Sequence, residues 1–224
     1  GNQSRSTIAG LANGGFVVAW QSHDQGGSSE GVFAQRYDAD GTKVGNEFKV
    51  QHEQKDPNGD GDVHATVTGL TDGGFVVAWP AKKDSPTSSD QLKGIYAQRY
   101  NANGIKVGGE DSESFLVSTS TDTSGNRDRP TVTGLANGGF VVAWQSQEPD
   151  GLAHEVYAQV YQSNGTKAGS EFRVNTTTTG NQRSPTVVGR PDGGFMVAWQ
   201  SHDQDGSGEG VYGQRYASNG TKMG

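Results

Sequence analysis

The sequence contains no cysteine in its 224 residues. This absence excludes disulfide bridges and thiolate zinc sites, and it is compatible both with the cytosol and with calcium-stabilised secreted proteins. Basic residues are also too few to balance the acidic ones: 18 Lys and Arg stand against 25 Asp and Glu, for a net charge of -7. Because a phosphate backbone is bound mainly through Lys and Arg, we predict no nucleic-acid partner.

Long apolar runs are missing as well. No stretch approaches the roughly 20 apolar residues that span a bilayer, so we predict no membrane insertion. The N-terminus lacks the basic and then apolar pattern of a signal peptide, and we expect a soluble chain that is a mature or excised piece. Apolar residues make up 30%, the mean hydropathy is -0.72 and 35 residues are glycine. This composition favours many short strands joined by tight turns over helices.

One short motif occurs four times along the chain. GGFVVAW begins at Gly14, Gly73 and Gly138, and GGFMVAW begins at Gly193. Its tryptophans are therefore 59, 65 and 55 residues apart. A repeat of this length indicates stacked or radially arranged units. We predict a single domain over residues 1–224, with repeats at 1–50, 63–118, 129–175 and 183–224.

Each repeat contains four strand signals. They are a small and β-branched segment such as TVTGL, the apolar FVVAW, an alternating segment such as VYAQRY, and a short segment such as EFKV. Asn-Gly and Asp-Gly pairs between them predict tight hairpins, and the continuous apolar run predicts a strand buried on both faces. We therefore predict an all-β protein, a β-propeller of four repeats with four-stranded antiparallel blades. A chain of β-sandwiches is the alternative.

The last repeat differs from the others at its end. The sequence stops at Gly224, where the earlier repeats go on to EFKV, SFLV and EFRV, so we predict that the last blade lacks its outer strand. Three arrangements remain open. They are four blades of a larger protein, a closed four-bladed ring with one three-stranded blade, and half of an eight-bladed homodimer.

The repeats resemble a known class of bacterial modules. FVVAWQS and VYAQRY recur together over essentially the whole chain, and in this they are similar to repeats of large secreted proteins of the repeats-in-toxin, hemolysin-type calcium-binding class. The resemblance implies an extracellular module, secreted or at the bacterial cell surface, that is often attached to adhesins or enzymes. The GGxGxD nonapeptide of that class is absent, so calcium-triggered folding is not implied.

The end of the propeller that carries the long loops is the predicted working end. A tryptophan ring stacks on the apolar face of a sugar while neighbouring amides bind its hydroxyls, which predicts glycan-binding residues there. The alternative is that the tryptophans pack between blades and that the histidines are polar loop residues. The candidate ligand-binding residues are Trp20, Gln21, Trp79, Trp144, Gln145, Trp199, Gln200, His23 and His202.

Two loops carry oxygen-rich patterns that are typical of calcium sites. One resembles the start of a helical calcium loop, but its twelfth position is Val67 where a bidentate acid is expected. The alternative is a solvated turn without an ion. The candidate metal ligands are Asp56, Asn58, Asp60 and Asp62 in the first loop and Asp203, Asp205, Ser207 and Glu209 in the second.

Signals for catalysis are few. The sequence has no HExxH or phosphate-binding glycine loop and no cysteine nucleophile, and no unique pair of carboxylates stands out. We therefore favour a secreted binding or adhesion module over an enzyme, with a glycan or cell-surface polysaccharide as its partner. The alternatives are a polysaccharide hydrolase or lyase, and a structural segment of a giant surface protein.

Overall fold

The computed structural model describes residues 2–23, 30–50, 63–84, 91–108, 114–119, 126–148, 151 and 153–224. These residues form strands and turns, and no helix occurs among them. Accordingly, no helix in the described ranges is long and apolar enough to cross a membrane.

Four separate antiparallel sheets follow one another along the chain. Blade 1 contains β1 (Gln3–Gly10), β2 (Phe16–His23), β3 (Glu30–Tyr37) and β4 (Lys43–Lys49). Blade 2 contains β5 (Thr66–Gly69), β6 (Phe75–Asp84), β7 (Gln91–Tyr100), β8 (Lys106–Val107) and β9 (Phe115–Leu116). Blade 3 contains β10 (Arg127–Gly134), β11 (Phe140–Gln147), β12 (His154–Tyr161) and β13 (Phe172–Arg173). Blade 4 contains β14 (Gln182–Gly189), β15 (Phe195–His202), β16 (Glu209–Tyr216) and β17 (Lys222–Met223).

The two glycines of each repeat motif are required in the first hairpin for different structural reasons. In blade 3, Gly138 has a φ of 86°, a conformation that favours glycine. The backbone N–H of Gly139 donates to Asn137 Oδ1 at 3.0 Å. A side chain at Gly139 would come within 2.3 Å of the Tyr161 carbonyl oxygen. The hairpin therefore requires glycine at both positions.

In blades 2 and 3 the apolar second strand is buried because a neighbouring blade packs against each of its faces. On β11, Val141 and Ala143 pack toward blade 4, while Phe140, Val142 and Trp144 pack toward blade 2. The same arrangement joins blade 1 to blade 2. The continuous apolar run thus serves two junctions at once, as expected for a strand with no solvated face.

The innermost strands of consecutive blades, β1, β5, β10 and β14, pack side by side in chain order. This arrangement confirms the predicted all-β propeller of four blades with antiparallel strands in the order of the sequence. The last blade has a short outer strand after all. It consists of the two residues of β17, which pair with Arg215 and Tyr216 directly after the hairpin.

Candidate functional site

Three of the four innermost strands contain an irregularity near their first residues. The pairing of β1, β10 and β14 with the neighbouring strand shifts register there. At the shift Arg5, Arg129 and Ser184 have φ values of 52°, 47° and 51°. Positive φ is unfavourable for residues other than glycine, and such strain tends to occur at functional sites. The three bulges lie at the long-loop end of the blades.

A cavity of about 520 Å³ lies at this end, between blades 3 and 4. All of its lining residues are polar, and they include one carboxylate. Cavities of this size commonly hold small-molecule ligands, and polar groups that converge on one space suit a ligand rich in hydroxyls. The lining residues are Asp128, Arg129, Gln145, His154, Asn181, Arg183, Ser184 and Gln200.

Asp128 is the carboxylate of this cavity and is largely shielded from solvent. Its Oδ1 is buried and has no hydrogen-bond partner. Burial raises the pKa of the Asp128 carboxyl above its ordinary value. Four neighbouring side chains lower this pKa, each by less than burial raises it. His154, Arg129 and His64 act through their charge, and Gln145 acts through a hydrogen bond. Asp128 therefore holds its proton to a higher pH than an ordinary aspartate.

Gln145 connects the two blades that form the cavity. Its side chain is buried, and its Oε1 accepts a hydrogen bond of 2.8 Å from the backbone N–H of Ser184 on the bulge of blade 4. Its position in β11 is directly opposite Asp128 in β10. One amide therefore holds the neighbouring bulge and contacts the carboxyl group.

The rim of the cavity is mostly cationic or amide in character. The backbone N–H of His154 donates to Asn181 Oδ1 at 3.1 Å, and Arg183 Nη2 lies 2.6 Å from Glu209 Oε1. On the other side of the axis, Arg5 Nη1 lies 2.9 Å from His64 Nε2. Guanidinium, imidazole and amide groups thus lie around the Asp128 carboxyl group, and Arg183 holds a second carboxylate, Glu209, at the rim.

The four predicted ligand-binding tryptophans lie at equivalent places but differ in burial. Trp79, Trp144 and Trp199 are buried between blades, and Trp199 donates its indole N–H to Gln182 at 3.1 Å. Trp20 is half-buried and lines a groove of about 430 Å³ on blade 1. Trp199 also lines a groove, of about 420 Å³, on blade 4, but among these four tryptophans Trp20 alone is not buried.

The other predicted ligand-binding residues fall into three settings. Gln145 and Gln200 line the cavity, whereas Gln21 is buried. His202 lies at the end of β15, with its Nδ1 3.1 Å from Asp203 Oδ2. The side chain of His23 lies outside the described residues. The predicted set therefore contributes two glutamines to the cavity.

The second predicted calcium loop uses its oxygens within the protein. Asp203 Oδ1 accepts the N–H of Gly208 at 2.8 Å, Asp205 Oδ1 accepts the N–H of Ser207 at 3.2 Å, and Glu209 pairs with Arg183. In the part of the chain that the structure describes, no group of three or more His, Asp or Glu side chains is placed to hold a metal. These oxygens thus accept hydrogen bonds within the loop, and calcium binding at it stays a prediction. Asp56, Asn58, Asp60 and Asp62 lie outside the described residues.

The sequence pattern did not single out Asp128, Arg129, Arg183 or His154 as site residues. A signal existed in the first strands of repeats 3 and 4, where Arg129-Pro130-Thr131 aligns with Ser184-Pro185-Thr186. Proline is confined to edges and bulges of sheets. In these two repeats the proline before the shared threonine therefore marks the bulge next to the cavity.

No protein-family model matches the sequence, and no curated protein matches it. Solved structures do share its fold. A Hadza microbial sialidase is 12% identical with a TM-score of 0.59, and the match covers 99% of this chain and 46% of that protein. The α-L-arabinanase of Penicillium chrysogenum, complexed with arabinobiose, is 17% identical with a TM-score of 0.57, over 91% of this chain and 62% of that one.

A third similar structure is the GH93 α-L-arabinofuranosidase of Fusarium graminearum, 14% identical with a TM-score of 0.55, covering 97% of this chain and 66% of that one. The chain thus spans about half to two thirds of the length of these three proteins. The assignment to the repeats-in-toxin class is wrong, because the structural neighbours are propellers of the glycoside hydrolase type and no family model matches. At these identities the likeness establishes the propeller fold.

Proposed function

We propose that the protein acts on carbohydrate at the cavity between blades 3 and 4, as a hydrolase of a polysaccharide. The observation that carries this proposal is the setting of Asp128, a carboxyl group with a raised pKa in an all-polar cavity at the axial end. General-acid catalysis of glycoside cleavage requires a carboxyl group that can donate a proton, and a raised pKa favours this role. The fold neighbours, which are named as a sialidase, an arabinanase and an arabinofuranosidase, support the same substrate class.

In this proposal each group at the cavity has a part in binding or proton transfer. Asp128 donates its proton to the glycosidic oxygen as the bond to the sugar carbon breaks, so the leaving group departs as a neutral alcohol. A water molecule then adds to the sugar carbon as a new hydroxyl group, and the proton that it releases replaces the one that Asp128 donated. Gln145 keeps the carboxyl in position. The cationic and amide groups of Arg129, His154 and Asn181 bind hydroxyl or carboxylate oxygens of the sugar.

Carbohydrate binding without cleavage is the second candidate function. Glycoside hydrolases generally use a pair of carboxyl groups, and Asp128 is the one carboxylate that lines this cavity among the described residues. The hydrolase therefore needs a second carboxyl group, which activates the attacking water. Without one, the cavity binds its sugar and leaves the bond intact. We keep a secreted or cell-surface location as part of either proposal.

A panel of plant, bacterial and host polysaccharides separates the two functions. Each polymer is incubated with the protein, and new reducing ends and retained binding are measured in parallel. Release of reducing ends from at least one polymer supports the hydrolase, and binding without release supports the binding module. Neither binding nor release across neutral, acidic and aminated polymers would overturn both proposals.

A further inference from the structure

The first and last blades each have one sheet face that no other described blade of the chain covers, and these two faces are of the kinds that pack together elsewhere in the chain. Within the chain this packing occurs at three junctions, each between the face of one blade and the opposite face of the next. The receiving face carries the first, third and fifth residues of FVVAW, which are Phe, Val and Trp. The giving face carries the second and fourth residues, which are Val and Ala. Blade 1 has a free receiving face, and blade 4 has a free giving face.

Burial shows that the free receiving face is a junction surface without its neighbour. Ile8 of blade 1 is 64% exposed, whereas the equivalent Val67, Val132 and Val187 are between 6% and 9% exposed. Ile8 pairs with Val18 across the sheet, and Phe16 stacks on Tyr37 with ring centroids 4.8 Å apart. The groove that contains Trp20 crosses the same face.

The free giving face of blade 4 shows the same contrast. Val211 is 82% exposed, whereas Val32, Ile95 and Val156 at the same position in the other blades are fully buried. Met196 and Val188 lie on the same face and are 37% and 58% exposed. A second groove, of about 420 Å³, crosses this face beside Ala198 and Val211. An apolar sheet face of this kind is rarely left in water.

Glycines occupy positions where the backbones of consecutive blades come so close that a side chain would not fit. A side chain built on Gly69, Gly134 or Gly189 would approach the carbonyl oxygen of the matching glycine in the preceding blade, at 2.1, 2.6 and 2.4 Å. The matching position in blade 1, Gly10, has nothing within 4 Å. The inner strand of blade 1 is therefore shaped for a preceding blade.

The outer hairpins also differ between blade 1 and the later blades. A side chain built on Gly104 would meet Arg36 of the preceding blade, and one built on Gly220 would meet Val160 of blade 3. Gly41, the equivalent glycine of blade 1, has nothing within 4 Å. Both the inner and the outer edge of blade 1 are thus free for the same partner.

We propose that the free faces bind each other in trans, so that the receiving face of blade 1 in one copy packs on the giving face of blade 4 in a second copy. The contact continues the junction that already joins the blades within the chain, and its two sides are supplied by the same protein. Such a contact is heterologous, and a second identical contact closes a ring of copies.

The contact between copies is weaker than the junctions inside the chain. In those junctions an outer-strand phenylalanine, such as Phe48 or Phe172, packs against the Tyr of the next blade, on Tyr100 and Tyr216 respectively. The described outer strand of blade 4, β17, consists of Lys222 and Met223 and holds no phenylalanine for this contact. We therefore expect reversible association that depends on protein concentration.

Two substitutions test the two faces separately, because both residues are already exposed and neither supports the fold. Ile8→Glu alters the receiving face and Val211→Glu alters the giving face. Either change alone is expected to raise the dissociation constant roughly tenfold or more, since it buries an unpaired carboxylate. Ile105→Glu is the matched control, because Ile105 is 61% exposed in a hairpin of blade 2, away from both faces.

Association is measured by sedimentation velocity over a range of concentrations, with melting temperature as the check on folding. The wild type and Ile105→Glu should associate, and each face variant should be monomeric. An equimolar mixture of the two face variants should form a dimer, because one intact receiving face and one intact giving face remain. A wild type that stays monomeric at all concentrations, or a mixture that stays monomeric, would overturn the proposal. This outcome would not bear on carbohydrate cleavage, which uses the cavity between blades 3 and 4.

Discussion

The backbone N–H of Ser184 donates to Gln145 Oε1 at 2.8 Å, and this bond ties the bulge of blade 4 to the second strand of blade 3. The bond lies at the cavity that contains Asp128. The same side chain lies directly opposite Asp128 in the sheet and contacts the one carboxyl group of the proposed site. Gln145 therefore contributes to stability through the bond between blades and to the proposed site through its contact with Asp128, and substitutions can test both roles.

Replacing Asp128 by Asn is expected to stabilise the protein at neutral pH. Burial raises the pKa of Asp128, so the folded state holds the proton more tightly than the unfolded state. The favourable contribution of this group is complete below the unfolded pKa and is lost as pH rises through the folded pKa. At pH 7 the variant should melt at a higher temperature than the wild type, because Asn has no charge to bury.

The same comparison at acidic pH provides the check. Below the ordinary pKa of Asp both states of the wild type are protonated, so the difference in melting temperature should shrink. Asp40→Asn serves as the control, because Asp40 is exposed in the hairpin between β3 and β4. A variant at Asp128 that melts below the wild type at pH 7 would contradict the assigned pKa direction.

Replacing Gln145 by Met is expected to destabilise the protein by about 1–2 kcal/mol, because the Ser184 N–H and Asp128 lose a partner while the volume is kept. The matched change, Gln200→Met, affects the same position in blade 4, where the described residues form no such bond to a following blade. Urea denaturation measures both. Equal losses of free energy of unfolding in the two variants would mean that the bond between blades contributes nothing.

Replacing Gly134 by Ala is expected to cost about 1–3 kcal/mol, because the new methyl group overlaps backbone that cannot move aside. Its position would be 2.6 Å from the Gly69 carbonyl oxygen. Gly10→Ala is the control at the equivalent place in blade 1, where the space is open. Urea denaturation at low protein concentration should show a loss for Gly134→Ala alone, and a comparable loss for Gly10→Ala would contradict this packing.

Calcium binding remains a prediction from the two acidic loops. An ion that binds the folded state alone raises the melting temperature, so EDTA should lower it and added calcium should restore it. Asp60→Asn and Asp205→Asn separate the first loop from the second. A melting temperature that does not change with EDTA or calcium would contradict binding at either loop.

The fold was predictable from sequence because its determinants are local and repeated. The two glycines at Gly138 and Gly139 fix a hairpin, and the apolar run that follows has one location, between two blades. The site was not predictable in the same way, because it lies where the repeats differ. Counting from the shared threonine, the position of Asp128 is Ser4, Val63 and Arg183 in the other repeats.

The residues that the repeats share form the junctions between blades and not the site. Trp144 recurs because a large ring fills the space between blades, and it is 1% exposed. His154 reaches the cavity from the first residue of β12, and Asn181 reaches it from the link to blade 4. No spacing in the sequence joins these two residues to Asp128, because their proximity depends on how consecutive blades pack.

The most direct test of carbohydrate cleavage is the initial rate of reducing-end release from the polymer that the panel identifies, measured for the wild type, Asp128→Asn and Asp40→Asn across pH. Loss of the general acid should lower the rate by roughly 10²–10⁴ in Asp128→Asn, while Asp40→Asn matches the wild type. The wild-type rate should fall as pH rises and Asp128 loses its proton. A rate that survives in Asp128→Asn would contradict the assignment of this cavity as the site of cleavage.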